Sequence, residues 1–158
     1  MKHNILISFI ILLAACNSSA ENKWNKAMDM LENNKLKDSI TIFNEIINNH
    51  PQSEYAIKSQ FQIAEIYLND KKNYDIAIEE FEKVISLSPS STEAKNALFM
   101  ISYIHNNYLN AYSSAIINYN IFLNKYPDDD LIPSVKYELK GLEKYQLQID
   151  SLNNQKNK

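Results

Sequence analysis

Few side chains in this sequence combine the residue types and spacing that catalysis or metal binding requires. Cys16 is the only cysteine, which excludes an internal disulfide and a CxxC zinc site. His3, His50 and His105 include no pair at a ligand spacing such as HExxH, and we expect His105 to be a packed residue. The acidic run Asp128–Asp130 could hold a cation, but we interpret it as acids that cap the start of a helix. The sequence therefore predicts no metal site.

The glycine and arginine content excludes further classes of function. Gly141 is the only glycine, whereas phosphate-binding loops such as GxGxxG need several. The 16 basic residues are all lysines and the formal net charge is -3, which argues against a nucleic-acid partner. No serine lies in the glycine-framed turn of a hydrolase. We expect no catalysis, no cofactor and no small-molecule substrate, and the scarcity of glycine and proline favours an all-α fold.

The first residues have the pattern of a secretory signal peptide. The apolar segment Ile5–Ala15 follows a short start with one lysine, and it is too short to span a bilayer, which takes ~20 helical residues. The segment ends in Leu13-Ala14-Ala15-Cys16, which resembles the lipobox of bacterial lipoproteins. The resemblance implies removal of residues 1–15 and acylation of Cys16 on its thiol and its freed amine. An uncleaved signal anchor and an ordinary signal peptide with an accidental cysteine are the alternatives.

The residue after the lipobox cysteine influences which membrane holds a bacterial lipoprotein. Asn17 stands where an aspartate favours retention in the inner membrane of Gram-negative bacteria. The lipobox resemblance therefore implies a cell-envelope protein that its lipid anchors in the outer membrane, facing the periplasm. Two or three acyl chains hold a protein stably, whereas one does not. We expect residues 16–22 to form the lipidated N-terminus and a short linker.

A period of 38 residues organises the rest of the chain. Pro51, Pro89 and Pro127 lie 38 residues apart, and the same step returns side chains of the same kind. The matched small, isoleucine, aromatic and aliphatic positions are Ser39/Ala77/Ala115, Ile40/Ile78/Ile116, Phe43/Phe81/Tyr119 and Ile47/Ile85/Leu123. A further aromatic column is Trp24, Phe61, Phe99 and Tyr137, and the expected N-cap residues are Ser53, Ser91 and Asp129.

Each copy has the pattern of two helices. In the second copy an apolar stripe with a 3.6-residue period runs from Ala77 to Ile85, and a partner helix is predicted at Ala56–Leu68. Two antiparallel helices with small residues at their crossing and a proline after the second resemble the tetratricopeptide repeat (TPR). The matching positions are Ala27, Ser39, Phe43 and Pro51 in copy one, Ala64, Tyr67, Ala77, Phe81 and Pro89 in copy two, and Ser102, Ala115, Tyr119 and Pro127 in copy three.

This resemblance implies an all-α fold, a TPR-type α-solenoid of antiparallel helix pairs with a C-terminal capping helix. Residues 23–152 are expected to hold three repeats and the half-repeat or capping helix, and residues 153–158 a polar tail. The long unit is similar to TPR modules of bacterial envelope proteins, in particular the BamD (YfiO) outer-membrane assembly lipoproteins and the CpoB (YbgF) cell-division coordinators. The segments Pro51–Tyr67 and Tyr126–Leu139 carry that likeness best.

The C-terminal helix carries an apolar stripe of its own. Leu142, Tyr145, Ile149 and Leu152 follow a 3-4-3 spacing. We expect this helix to cap the array, and docking of a partner on the stripe is the alternative.

The TPR resemblance also implies where a protein partner binds, because stacked helix pairs create a concave face lined mainly by first helices. Uncharged side chains predominate among the candidates there, which suits a mildly polar peptide better than a carboxylate. The candidate positions are Met28, Leu31, Lys58, Glu65, Leu68, Asn69, Asn96, Tyr103, Asn106 and Asn107. A plain solvated helix face is the alternative for each of them.

These expectations define a lipid-anchored periplasmic TPR scaffold that binds a protein partner in outer-membrane protein assembly or in maintenance of the cell envelope. The alternative is an accessory or binding lipoprotein of a transport, secretion or peptidoglycan-associated complex. The membrane is reached through the lipid anchor in either case.

Overall fold

The computed structural model describes residues 19–70 and 72–156, and in these residues the chain is helical and contains no β-strand. The helices of this part are α1 (19–32), α2 (Leu36–Asn49), α3 (Glu54–Asn69), α4 (Tyr74–Leu87), α5 (Thr92–Asn107), α6 (Tyr112–Lys125) and α7 (Ile132–Lys156). Across these ranges no helix has the length and apolar character that crossing a membrane requires. The expected signal peptide at residues 1–15 and the lipidation of Cys16 lie outside the described residues and stay predictions.

The helices fall into two compact units that divide after Pro89. The first unit holds α1 to α4 and the second unit holds α5 to α7. Within the first unit α2 packs on α3 and α3 on α4, and within the second unit α5 packs on α6 and α6 on α7. The helix pairs α3/α4 and α5/α6 lie where the 38-residue period predicts them.

The turn inside each helix pair repeats a backbone conformation as well as a length. Within the described ranges Asn34, Lys72 and Asn110 have positive φ, at 59°, 50° and 52°, and they lie 38 residues apart. Asparagine tolerates this left-handed conformation because its side chain bonds locally, whereas lysine has no such compensation. The same turn is therefore built from a less suitable residue in the second repeat.

The serines predicted as N-caps of α3 and α5 act in two different ways. Ser91 caps α5, because its hydroxyl accepts a hydrogen bond from the Ala94 N–H at 3.0 Å. Ser53 occupies the same position before α3, but its hydroxyl donates to the His50 carbonyl at 2.8 Å and accepts no bond from the helix. The predicted N-cap position is therefore confirmed for both serines, but a side-chain cap forms only at Ser91, and the Ser53 hydroxyl stabilises the preceding turn instead.

The core of the first unit is built from aromatic and small residues at the repeat positions. The Trp24 and Phe43 rings lie 5.4 Å apart between α1 and α2, and the Phe61 and Phe81 rings 5.2 Å apart between α3 and α4. Ser39 is fully buried, and its hydroxyl donates to the Ala27 carbonyl at 2.9 Å, so a small residue is needed where α1 and α2 cross. The buried residues of the α1–α3 cluster are Ala20, Ala27, Phe43, Ile46, Ile63 and Ile66.

The second unit repeats this packing once and then departs from it. The Phe99 ring of α5 lies 6.0 Å from Tyr119 and 6.3 Å from Phe122, both fully buried on α6. Tyr137, the next member of the predicted aromatic column, is 77% exposed. Its place in the column does not bury it, because no helix after α7 in the described chain offers a matching ring.

The ends of the array differ from the predicted boundaries. Residues 19–22, expected in the linker, belong to α1, and Ala20 joins the core at 0% exposure. The polar tail expected from residue 153 is helical as far as Lys156. Polar residues continue a helix readily once its backbone is formed, which explains why composition alone placed this end too early.

Candidate protein-binding surfaces

A cavity of the second unit lies over α7. It has a volume of about 560 Å³ and is open to solvent along the helix. Its lining residues are Asn106 of α5, Tyr112 of α6, and Tyr137, Glu138, Lys140, Gly141, Leu142, Lys144 and Tyr145 of α7. Three tyrosines, a residue type that is enriched at protein interfaces, therefore share this surface with charged side chains, which are commoner at the rim of an interface.

Hydrogen bonds and ring contacts from α5 and α6 hold two of the α7 side chains. The Asn106 amide donates from Nδ2 to Glu138 Oε2 at 2.7 Å. The Tyr112 and Tyr145 rings meet edge to face at 4.8 Å, and the Tyr112 hydroxyl donates to Asn110 Oδ1 at 2.9 Å. Desolvation, followed by the nearby Tyr145, raises the pKa of Tyr112 above its ordinary value, so this phenol stays a neutral donor.

The outer face of α6 is a second apolar surface of the same unit. Ile117 is 60% exposed and Ile121 is 45% exposed, one helical turn apart. The 38-residue step places Thr41 and Glu79 at the position of Ile117, and Glu45 and Lys83 at that of Ile121. Isoleucine thus replaces polar residues only in the third repeat.

The acidic run before α7 is engaged in structural contacts. Asp129 forms an ion pair with Lys95 of α5, and its Oδ1 accepts a hydrogen bond from the Leu131 N–H at 2.9 Å. These two donors lower the pKa of Asp129. Among the described residues no group of three or more His, Cys, Asp or Glu side chains could hold a metal ion. The contacts of Asp129 agree with the helix-start interpretation of this run.

Comparison with known proteins decides the family. The sequence model of the family described as YfiO, outer membrane lipoprotein, matches residues 14–105, which is more than half of the chain. The chain belongs to the YfiO family. No curated protein matches the sequence at a significant level.

Solved structures similar to this YfiO-family chain are TPR proteins. MamA of strain AMB-1 aligns in one crystal form with a TM-score of 0.59 and 15% identity, over 84% of this chain and 66% of that chain. A second MamA crystal form gives 0.56 and 17%, over 87% and 75%. The C-terminal TPR domain of a putative FK506-binding protein of Plasmodium falciparum gives 0.54 and 16%, over 90% and 94%. This chain spans slightly less than two thirds of the first MamA chain, and likeness at these identities shows the fold alone. The predicted all-α TPR fold class is confirmed.

The predicted binding residues in the first unit of this YfiO-family chain have mixed surroundings. Met28 and Leu31 of α1 are half-buried against the core, and Leu68 of α3 is a core residue at 4% exposure. Asn69 is exposed at the end of α3. Burial thus leaves Leu68 little surface for a partner, whereas Asn69 is accessible to one.

Lys58 and Glu65 lie two turns apart on α3, and each has a partner on that helix. The Lys58 ammonium is 3.1 Å from Glu54 Oε2 and 5.2 Å from the Tyr55 ring centroid. Glu65 Oε2 accepts from Gln62 Nε2 at 2.7 Å, and burial raises the pKa of Glu65 despite that bond. Seven residues separate the two side chains, so they share one face of the helix.

In the second unit Asn96, Tyr103, Asn106 and Asn107 all lie on α5. Asn96 and Tyr103 are half-buried and seven residues apart, and the Asn107 amide donates from Nδ2 to the Tyr103 carbonyl at 3.1 Å. Only Asn106 of these four lines the α7 cavity. A role in partner binding stays a prediction for every residue in both units.

The sequence reasoning missed the α7 cavity and the exposed isoleucines of α6. Ile117 and Ile121 carried a readable signal, since the repeat step matches them with polar residues in both earlier copies. Tyr145 carried a partial signal, since it belongs to the C-terminal stripe on which partner docking was the alternative, whereas Tyr137 carried none, because aromatic residues at helical spacing are usually buried. Their exposure follows from the helices around α7 rather than from its own sequence.

Proposed function

We propose that this chain is a lipid-anchored scaffold of the cell envelope that binds a protein partner. It sits at the outer membrane facing the periplasm and serves outer-membrane protein assembly or envelope maintenance. The YfiO family match carries this proposal, because it starts at residue 14 and so takes in Cys16 together with the first helix pairs. TPR folds are platforms for protein binding, since their helix faces present extended surfaces without a catalytic centre of their own.

Lipidation of Cys16 is the first part of the proposal to test. Cys16→Ser removes the thiol that would carry the diacylglycerol, so the protein moves from the membrane to the soluble fraction and loses label from radioactive palmitate. Ser18→Ala, two residues away, keeps the thiol and remains in the membrane fraction. Persistent membrane association of Cys16→Ser would contradict the anchor.

The membrane that holds the protein is tested by density separation of inner and outer membranes. We expect the chain in the outer-membrane fraction, and Asn17→Asp to shift part of it to the inner membrane. A wild-type chain found entirely with inner membranes contradicts the proposed location.

Partner binding by the first-helix faces is tested with exposed asparagines at equivalent positions. Asn69 and Asn107 end α3 and α5, so Asn69→Lys and Asn107→Lys place a charge on those faces without disturbing a core. We expect both to weaken recovery of the partner in crosslinked pull-downs from membranes. Asn49→Lys and Asn124→Lys add the same charge to exposed positions on α2 and α6 and should leave recovery unchanged.

The identity of the recovered partner separates the two functional classes. A β-barrel assembly factor supports the proposal. A transporter, a secretion component or peptidoglycan recovered in its place contradicts it and favours an accessory lipoprotein of those systems.

A further inference from the structure

The only glycine of the chain lies where the packing of the second unit does not require one. Gly141 sits inside the 25-residue helix α7 with an ordinary helical backbone, and a Cβ added to it would meet nothing within 4 Å. Glycine inside a helix costs about 1 kcal/mol relative to alanine. Because glycine has no side chain, the backbone of another helix can approach it closely. The surface over Gly141 is therefore suited to a second helix.

The side chains around Gly141 are arranged symmetrically along α7. Tyr137 and Tyr145 lie four residues before and after it, and Glu138 and Lys144 lie three residues before and after it. Residues three and four apart share one face of a helix, and all five line the cavity over α7. Tyr137 is 77% exposed and Tyr145 is 44% exposed. We name these five residues the α7 face.

We propose that two copies of this chain associate through their α7 faces, with the two α7 helices antiparallel and crossing at Gly141. A twofold axis at that crossing brings Tyr137 and Glu138 of each copy opposite Lys144 and Tyr145 of the second copy. The glutamate then meets an ammonium and a phenol, and the ammonium also lies beside a tyrosine ring.

The symmetry of the α7 face selects the second copy over another partner. An antiparallel helix pair exchanges the residues before and after its crossing point, so Glu138 and Lys144 become mutual counterparts only when both helices have this sequence. Asn106 of α5 already orients Glu138, which keeps the carboxylate at the surface where the second lysine arrives. A helix of unrelated sequence would gain nothing from equal spacing on the two sides of Gly141.

Disulfide crosslinking of the full chain in its membrane tests the contact. Gly141→Cys should give a covalent dimer under mild oxidation, because the two residues meet at the crossing. The parent chain, which has only Cys16, should give none, and Asn124→Cys at an exposed polar position of α6 is the matched surface control. Absence of the Gly141→Cys dimer overturns the proposal, as does an adduct with a different protein or equal crosslinking at Asn124→Cys.

The direction of the helices is tested with two differently tagged chains in one cell. Tyr137→Cys and Lys144→Cys should form a mixed disulfide when expressed together, whereas Tyr137→Cys alone should give little dimer. A dimer formed mainly by Tyr137→Cys with itself indicates parallel helices and contradicts the proposed arrangement.

Charge reversal distinguishes a contact between two copies from a role of Glu138 and Lys144 in the folding of a single copy. Lys144→Glu alone and Glu138→Lys alone each place like charges across the crossing, and co-purification of two tagged copies should fall about tenfold because the twofold axis doubles each repulsion. Mixing the two variants restores both opposite-charge pairs, so the mixed complex should form at the parent level. Lys37→Glu, an exposed lysine on α2, is the matched control. No recovery in the mixture, with normal helix content, overturns the proposal.

Discussion

Helices α5 and α7 hold equivalent places in the 38-residue repeat, yet the same positions have opposite surroundings in the two helices. Phe99 of α5 lies against the rings of Tyr119 and Phe122, whereas Tyr137 of α7 is 77% exposed. The small position of α5 is Ser102, fully buried, and its equivalent in α7 is the exposed Lys140. The second helix of a repeat therefore covers the first helix that precedes it. The α7 surface stays exposed, whereas the equivalent surface of α5 is covered by α6.

The largest difference should appear between Phe99→Ala and Tyr137→Ala. Removing the Phe99 ring leaves a cavity beside two buried aromatic residues and should lower the free energy of unfolding by about 3 kcal/mol. Removing the Tyr137 ring should change it by less than about 0.5 kcal/mol. Urea denaturation followed by circular dichroism, at a concentration where sedimentation shows monomers, measures both. Equal losses would mean that the Tyr137 ring is covered after all.

The small-residue position should give the second largest contrast. Ser102→Leu forces a large side chain into a fully buried site and removes the hydroxyl that donates to the Leu98 carbonyl at 2.8 Å, with an expected loss of about 2 kcal/mol. Lys140→Leu at the equivalent exposed position should stay within about 0.5 kcal/mol. Thermal unfolding of the two variants and the parent measures both changes, and tolerance of leucine at residue 102 would contradict close packing around the buried Ser102.

The starts of first helices differ in a smaller way. Ser91→Ala removes a hydroxyl that accepts from the Ala94 N–H and should lower stability by about 1 kcal/mol. Ser53→Ala at the same position of the first unit loses only a bond to the preceding turn, so we expect about half that effect. Denaturant midpoints of the two alanine variants test the order, and the opposite order would mean that the hydroxyl of Ser53 caps α3.

The positions within the repeat explain which features of α5 and α7 could be predicted from the sequence. Phe43, Phe81 and Tyr119 are all fully buried, as their common step predicts, because burial inside a helix pair depends on residues that recur with it. The exposure of Tyr137 depends on the helix that follows, which a repeat pattern cannot supply. The α7 cavity was missed for the same reason, since side chains from three helices form it. The partner surface on the first helices and the lipid on Cys16 stay predictions.

The smallest expected effect is a pH-dependent contribution of Asp129, which precedes α7, to the stability of the fold. The hydrogen bond from Lys95 and the Leu131 N–H lower the folded-state pKa of Asp129, whereas the neutral cap Ser91 of α5 does not titrate. A carboxyl whose pKa is lower in the folded protein than in the unfolded chain binds its proton more readily after unfolding. Its stabilising contribution is therefore complete above the ordinary aspartate pKa of about 4 and is lost as the pH falls through the lowered folded value.

Asp129→Asn removes that charge at neutral pH but keeps an amide oxygen that can accept from the Leu131 N–H, so the expected loss is below about 1 kcal/mol. The difference in melting temperature between Asp129→Asn and the parent should shrink as the pH falls below about 4, since the parent then loses the same charge. Asp128→Asn, at the exposed neighbouring position, carries the same loss of charge and should show a smaller difference at every pH. A constant difference between Asp129→Asn and the parent across the titration would mean that the side chain acts through its shape and hydrogen bonds alone, as the serine cap of α5 does.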